Sequence, residues 1–113
     1  MTSQFTVHGR LWIEAADGTI IGHGRVNLLE KIDDLGSLSA AATALGMSYR
    51  YAWKLVKSMN DHSDRPLITL SSGGRGGGHA ELTTTGKEAV ATYRRTDQEF
   101  EQFLSQQTEQ LPN

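Results

Sequence analysis

Residues 36–60, GSLSAAATALGMSYRYAWKLVKSMN, constrain the fold more than any other part of this chain. Ser39 is predicted to cap a helix that runs to Leu45, and the small alanines that follow Ser39 permit a close helix crossing. Gly46 suits a left-handed turn, which glycine adopts at low cost. Ser48 is predicted to cap the next helix. The segment is therefore predicted to be two short helices joined by a tight turn.

The helix that begins at Ser48 and ends near Asn60 is predicted to have two chemically different faces. At about 100° per residue, one side is apolar and the opposite side is basic. The apolar side consists of Ala52, Leu55, Val56 and Met59, and the basic side consists of Arg50, Trp53, Lys54 and Lys57, with Tyr49 and Tyr51 at the flanks. A helix of this kind can enter the major groove of DNA.

The positions on this helix predict individual roles in DNA binding. Arg50 is placed to donate two hydrogen bonds to guanine, a contact worth roughly 1–3 kcal/mol of discrimination. Lys54 is expected to reach a base or a phosphate, and Lys57 a phosphate. Ser48 and Tyr49 are expected to donate to phosphate, because the start of a helix favours an anion.

A hairpin is predicted to follow this helix over residues 66–82. Pro66 marks the exit from the helix. Strands are predicted at Leu67–Leu70 and His79–Leu82, on either side of the glycine-rich loop Ser71–Gly78. The hairpin has the length and position of a wing beside a recognition helix.

Arg75 lies in the middle of the glycine-rich loop SSGGRGGG and has two possible roles. It reaches an adjacent minor groove or the DNA backbone from residues 71–79, or it is simply solvated. Trp53 also keeps two interpretations: contact with a thymine methyl or a sugar, or packing against the wing. Phosphate-binding glycine motifs fail on spacing, because His79 and Glu88 occupy positions that those motifs reserve for other residues.

The remaining elements complete a single predicted domain, residues 1–113, of mainly α structure with a small β component. Its predicted class is a winged helix-turn-helix (residues 36–60, wing 66–82) with an N-terminal strand hairpin and a long C-terminal helix. The other predicted elements are a strand at Phe5–Glu14, a strand at Thr19–Ile21, a helix at Gly24–Leu35 ended by Gly36, and a helix over residues 83–108, capped by Thr83, Thr84 or Thr85 and helical to about Gln107.

The last helix is predicted to be longer than its own domain can cover. A helix of about 24 residues is ~36 Å long. Its apolar stripe is therefore expected to pack against a second chain, through Tyr93, Phe100, Phe103 and Leu104. A homodimer of this kind would present two recognition helices to successive major grooves and read an inverted repeat.

Charge is distributed unevenly along the chain. The formal net charge is −2, which by itself disfavours a nucleic-acid partner. Residues 37–80 nevertheless carry five lysines and arginines against two aspartates, and both flanks are acidic. Positive charge therefore lies on the elements that would face DNA.

Several other classes of protein are disfavoured by the composition. Cysteine is absent, which fits a reducing cytoplasm, and the N-terminus lacks an apolar signal segment. No apolar run approaches the ~18 residues of a membrane span. The four histidines lack metal-ligand spacing, and no nucleophile or carboxylate-pair motif is visible. No enzymatic activity, metal site, cofactor, membrane contact or small-molecule effector is predicted.

Several short motifs also match a known family. They are Gly36-Ser37-Leu38-Ser39, Ala41-Ala42, Gly46-Met47-Ser48-Tyr49-Arg50, Ala52-Trp53, Met59-Asn60, Gly73 to Gly78, and Leu82-Thr83 followed by Gly86. This combination, over residues 20–105, resembles the N-terminal DNA-binding domain of the molybdate-responsive regulator (ModE) family and, more distantly, the LysR-type winged helix. The resemblance implies a dimeric transcription factor whose recognition helix is 48–60 and whose wing tip is the glycine loop.

The sequence departs from that family in one respect. Family members continue into a C-terminal molybdate-binding region, whereas this sequence stops at Asn113, so molybdate sensing is not carried over. A free-standing DNA-binding module, an effector acting through another chain, and a piece of a longer protein all remain open, and Met1 with the tail favours the first. The alternative function is a protein-interaction adaptor that uses the fold without reading DNA, for which the acidic net charge is the main support.

Overall fold

The computed structural model describes residues 4–14, 16, 20–71 and 78–112. The elements follow one another in the order β1 (Ile13–Glu14), β2 (Ile20–Ile21), α1 (His23–Leu35), α2 (Leu38–Ala44), α3 (Tyr49–Asp61), β3 (Ile68–Ser71), β4 (His79–Leu82) and α4 (Thr84–Glu109). β1 pairs with β2 and β3 pairs with β4, both antiparallel. The predicted class, mainly helical with small two-stranded sheets, is confirmed.

The core joins α1, α2, α3 and the β3–β4 hairpin, because each of them buries an apolar stripe against the others. α1 packs on α2, α2 packs on α3, and β4 lies against α1. Burial of these side chains is the main force that fixes α3 in place. The core side chains are Leu28, Leu29, Ile32, Leu38, Ala41, Ala42, Ala52, Val56, Met59, Leu67, Ile68, Ala80 and Leu82.

The ends of α2 and the start of α3 are set by short polar contacts. Ser37, not Ser39, caps α2: its Oγ accepts a hydrogen bond from Ala40 N at 3.2 Å. The prediction of Ser39 is wrong because α2 begins at Leu38, whose side chain is buried in the core. Gly46 adopts φ +68° in the turn after α2, as predicted.

Backbone hydrogen bonds attach the β3–β4 hairpin to the end of α1 and to the start of α4. Ala80 N donates to the carbonyl of Gly36 at 2.9 Å, and Thr83 N donates to the carbonyl of Leu67 at 2.9 Å. Thr83 Oγ1 then caps α4 by accepting from Gly86 N at 3.0 Å. A Cβ at Gly86 would lie 2.1 Å from the Leu67 oxygen, so only glycine permits this close approach.

The N-terminal segment differs from its prediction. Among the described residues of this segment, strand pairing joins Ile13–Glu14 to Ile20–Ile21, and Thr19 of the predicted second strand lies outside them. The residues before β1 instead run along α4, where Val7 N donates to Thr108 Oγ1 at 2.9 Å. Long-range contact with α4 therefore replaces most of the predicted strand Phe5–Glu14.

An ion pair joins the exposed sides of α1 and α4. Arg94 donates to both carboxylate oxygens of Glu30 and, at 3.0 Å, to Asn27 Oδ1. The hydrogen bonds from Arg94 hold the pKa of Glu30 below its ordinary value, although desolvation opposes the shift. The same hydrogen bonds raise the pKa of Arg94.

Candidate nucleic-acid interface

The outer face of α3 is basic and open to solvent, as predicted. Arg50, Lys54 and Lys57 are exposed, and no other described element covers them. On the opposite face Ala52, Val56 and Met59 are fully buried, and Leu55 is half-buried. The structure therefore presents the predicted basic residues together on a helix that the core holds rigidly.

The start of α3 has the features of an anion-binding helix terminus. Ser48 Oγ accepts from Tyr51 N at 3.1 Å and so caps the helix, while its own hydroxyl hydrogen is left to donate. The first turn of α3 contains no acidic residue. Tyr49 lies exposed beside it. Backbone N–H groups and the helix dipole at such an end favour a phosphate oxygen.

Lys57 is already partnered by groups on its own helix. Its Nζ lies 3.0 Å from Asp61 Oδ2, and the same atom lies 6.0 Å from the centroid of the Trp53 ring. Both charged side chains of the ion pair are largely exposed. An exposed pair of this kind contributes little to stability, so a phosphate can replace the carboxylate at low cost.

The side chain of Trp53 extends from α3 on the side of the hairpin and is 42% exposed. Its side chain lines a cleft together with Leu70 of β3. Both interpretations of Trp53 stay predictions, because the side chain faces the hairpin across this cleft and part of it is accessible. Arg75, the predicted contact at the wing tip, lies outside the described residues.

Asn60 is a positioning residue that the sequence analysis did not single out by chemistry. Its Oδ1 accepts from Leu67 N at 2.8 Å and from Ile68 N at 3.2 Å, and its Nδ2 donates to Ile68 O at 2.9 Å. The end of α3 is thereby tied to the start of the β3–β4 hairpin. A signal was present, because Asn60 continues the buried i, i+4 row of Ala52 and Val56.

The predicted dimerisation residues do not share one free surface. Tyr93 is fully buried in its own chain, where its hydroxyl donates to Leu11 O at 2.9 Å, so the prediction that it contacts a partner is wrong. Leu104 is 8% exposed and is covered by the N-terminal segment, as Phe100 is in part. Phe103 is 52% exposed. For Tyr93 and Leu104 the prediction left out the segment that runs along α4, whereas contact of Phe103 with a second chain stays a prediction.

A small polar cluster surrounds Tyr93. The ring of His23 lies edge-on to it at 5.5 Å, and Asp97 is buried nearby. Burial raises the pKa of Tyr93, and the charge of Asp97 raises it further. His23 Nε2 lies 3.5 Å from Asp97 Oδ1 without hydrogen-bond geometry, and no other described group forms a hydrogen bond to that oxygen.

A metal-binding group and a membrane-spanning helix are both absent from the described residues. That part of the chain holds no group of three or more histidine, aspartate or glutamate side chains arranged to bind a metal ion. It also holds no helix with the length and apolar character needed to cross a membrane.

Two helices joined by a glycine turn, with a two-stranded hairpin beside the second helix, define a winged helix-turn-helix protein. The sequence family described as "Bacterial regulatory helix-turn-helix protein, lysR family" matches residues 24–87, which is more than half of the chain. The chain belongs to this family. The elements α2, α3, β3 and β4 fall within the matched range, and so does α1 apart from its first residue, His23.

Curated relatives agree with the resemblance to the ModE family. The chain is 35% identical over 102 residues to the molybdenum transport protein ModE of Azotobacter vinelandii, covering 90% of this chain and 38% of that protein. It is 40% identical over 88 residues to the molybdenum-pterin-binding protein MopB of Rhodobacter capsulatus, covering 78% and 33%. It is 39% identical over 69 residues to the DNA-binding transcriptional dual regulator ModE of Escherichia coli K12, covering 61% and 26%.

These proteins are considerably longer than this chain, which spans about a third of their length. A solved structure is also similar: the full-length LysR-type regulator LysG of Corynebacterium glutamicum superposes with a TM-score of 0.56 at 26% identity. The match covers 78% of this chain and 30% of that one.

Proposed function

We propose that this chain binds duplex DNA sequence-specifically and regulates transcription, with α3 in the major groove. The exposed basic face of α3 is the observation that supports this proposal. The opposite face of α3 is buried in the core, and no described element covers the basic face. The E. coli relative is itself named a DNA-binding transcriptional regulator. The wing lies beside α3, where an adjacent stretch of the same duplex would pass.

Within this proposal each residue of α3 contacts a part of the DNA that follows from its position on the helix. Arg50, in the first turn, reads guanine through two hydrogen bonds. Lys54 contacts a base or a phosphate. Lys57 exchanges Asp61 for a phosphate, and Ser48 and Tyr49 hold a phosphate at the start of the helix.

The first experiment is selection of bound duplexes from a random library, followed by fluorescence anisotropy on the selected site. We expect Arg50→Ala to flatten the preference at one base position per half-site. Lys57→Ala should weaken binding to all sequences about equally. It should also reduce the slope of log affinity against log salt concentration by about 1. Lys87→Ala is the matched control, since Lys87 is exposed on α4.

Two results would contradict the proposal. One is a wild-type protein that binds mixed and selected duplexes equally, or binds neither. The other is an Arg50→Ala variant that keeps the full base preference. Either result would favour the adaptor function, in which the basic residues of α3 are dispensable.

We also propose that the chain acts as a homodimer on an inverted repeat, with the exposed side of α4 around Phe103 in the interface. An exposed phenylalanine on a long helix is unfavourable in water and gains by burial against a second copy. Sedimentation equilibrium should show a weaker dimer for Phe103→Ala. Leu35→Ala is the control, because Leu35 is exposed to a similar degree on α1 and should leave self-association unchanged.

A further inference from the structure

A cleft separates α3 from the wing, and none of the base contacts proposed above uses it. Its volume is about 320 Å³. That equals roughly ten water molecules at liquid density, which is close to the heavy-atom content of one sugar with its phosphate. The cleft is lined by Leu38, Ser39, Tyr49, Trp53, Leu70, Ser71, Gly78, His79 and Ala80.

The lining has an apolar part and a polar part. Trp53 and Leu70 supply partly exposed apolar surface from opposite sides, one from α3 and one from β3. The polar groups are three hydroxyls and an imidazole, on Ser39, Tyr49, Ser71 and His79. The described carboxylate nearest His79 is Glu81, 3.8 Å from its Nε2 and outside the lining.

Positive charge borders the cleft on the α3 side. Lys57 Nζ lies 6.0 Å from the centroid of the Trp53 ring, which places a cation next to the apolar surface. Apolar surface beside hydroxyl donors and a cation matches the chemistry of a sugar–phosphate unit. It does not match an apolar peptide, which would leave those hydroxyls without partners.

The geometry of duplex DNA points to the same occupant. The major and minor grooves are separated by one sugar–phosphate strand. With α3 in the major groove and the wing at the neighbouring minor groove, the cleft between them faces that strand. This step rests on the proposed function.

We propose that the cleft holds one deoxyribose and its phosphate, with Trp53 and Leu70 packed against the carbon face of the sugar. The hydroxyls and Lys57 contact the phosphate. In this arrangement a substituent on the 2′ carbon of that sugar would displace the aromatic ring. Trp53 is therefore a residue that selects for an unmodified DNA strand at one position in each half-site.

The test places a 2′-O-methyl group on one sugar at a time along the selected duplex and measures affinity by anisotropy. For the wild-type protein we expect one sugar per half-site at which the modification lowers affinity by about tenfold. Trp53→Ala should bind the unmodified duplex more weakly and lose this sensitivity. Because 2′-O-methyl also changes sugar pucker, the readout is the difference between the two proteins on the same duplex.

Two further variants keep the result interpretable. Tyr51→Ala is the matched control, since Tyr51 is a similarly exposed aromatic residue of α3 that does not line the cleft, and it should keep the sensitivity. Leu70→Ala should lose part of it from the wing side. Far-UV circular dichroism shows whether each variant is folded. If Trp53→Ala does not fold, the 2′-O-methyl sensitivity of Leu70→Ala tests the sugar site instead.

The outcomes separate this inference from the proposed function. Sequence-specific binding with equal 2′-O-methyl sensitivity in wild type and Trp53→Ala overturns the sugar site but leaves DNA reading intact. The sugar site is also overturned if replacing thymine by deoxyuridine lowers the affinity of the wild type but not of Trp53→Ala. That result would make the methyl group of a thymine the occupant of the cleft. A wild-type protein that binds no duplex at all overturns both.

Discussion

Replacing Asn60 by alanine should detach the wing from the recognition helix. The amide of Asn60 makes three hydrogen bonds to the backbone of Leu67 and Ile68, at 2.8, 3.2 and 2.9 Å. Both partner residues are at most 3% exposed, so water cannot easily replace the lost contacts. A buried backbone group left without a partner costs about 1–3 kcal/mol.

The three losses are coupled and not additive, so the expected destabilisation is about 2–4 kcal/mol. With a urea m-value of about 1.5–2 kcal/mol/M for a domain of this size, the unfolding midpoint should fall by roughly 1–3 M. Far-UV circular dichroism measures this directly. Asn60→Asp should lie between the wild type and Asn60→Ala, because its carboxylate still accepts from both N–H groups but cannot donate to the Ile68 carbonyl.

Asn27→Ala is the matched control for this prediction. It removes the same amide group, but its hydrogen bond to Arg94 is exposed, so its effect should stay within about 0.5 kcal/mol. If Asn60→Ala destabilises the protein no more than Asn27→Ala does, the amide of Asn60 does not hold the wing. The account of how α3 and the wing are aligned would then be wrong.

Three further predictions follow from single contacts. Gly86→Ala should destabilise the fold by roughly 1–3 kcal/mol in thermal unfolding, because its Cβ meets a backbone carbonyl, while Gly24→Ala, where nothing lies within 4 Å, should not. The pKa of Glu30 is lowered in the folded state, so its pairing with Arg94 stabilises the protein above about pH 4.5 and is lost as the pH falls below that value. Glu30→Gln should therefore lower the stability at pH 7 more than at pH 3. The difference should be small, because both side chains of the pair are more than a third exposed. Asp61→Asn should raise DNA affinity and steepen its salt dependence by freeing Lys57, and a variant with unchanged affinity would show that the pair does not compete with phosphate.

The elements that the sequence predicted well depend on local patterns. The two faces of α3 follow from the helical period, and the turn at Gly46 follows from a conformation that glycine adopts at low cost. The hairpin follows from two short apolar runs around a glycine loop. The cap of α2 was harder, since Ser37 and Ser39 are equally suitable as residues, and burial of Leu38 decides between them.

The elements that the sequence did not predict depend on contacts between distant residues. Tyr93 bonds to Leu11, 82 positions away, and Val7 bonds to Thr108, 101 positions away. No periodicity within α4 indicates that its stripe is covered by the first residues of the same chain. The apolar stripe predicted on α4 is present, but Tyr93 and Leu104 of that stripe are buried within the same chain.

The sequence by itself determined which side of α3 is buried and which side is basic, because both follow from residue order on one helix. It also determined the class of fold, through the order of the helices and the hairpin. Tertiary structure alone decided how α3 and the wing are aligned, since Asn60 and Gly86 act through backbone groups of Leu67 and Ile68 that no local pattern specifies. It also formed the cleft between them, because a cleft exists only once two elements distant in sequence are packed side by side.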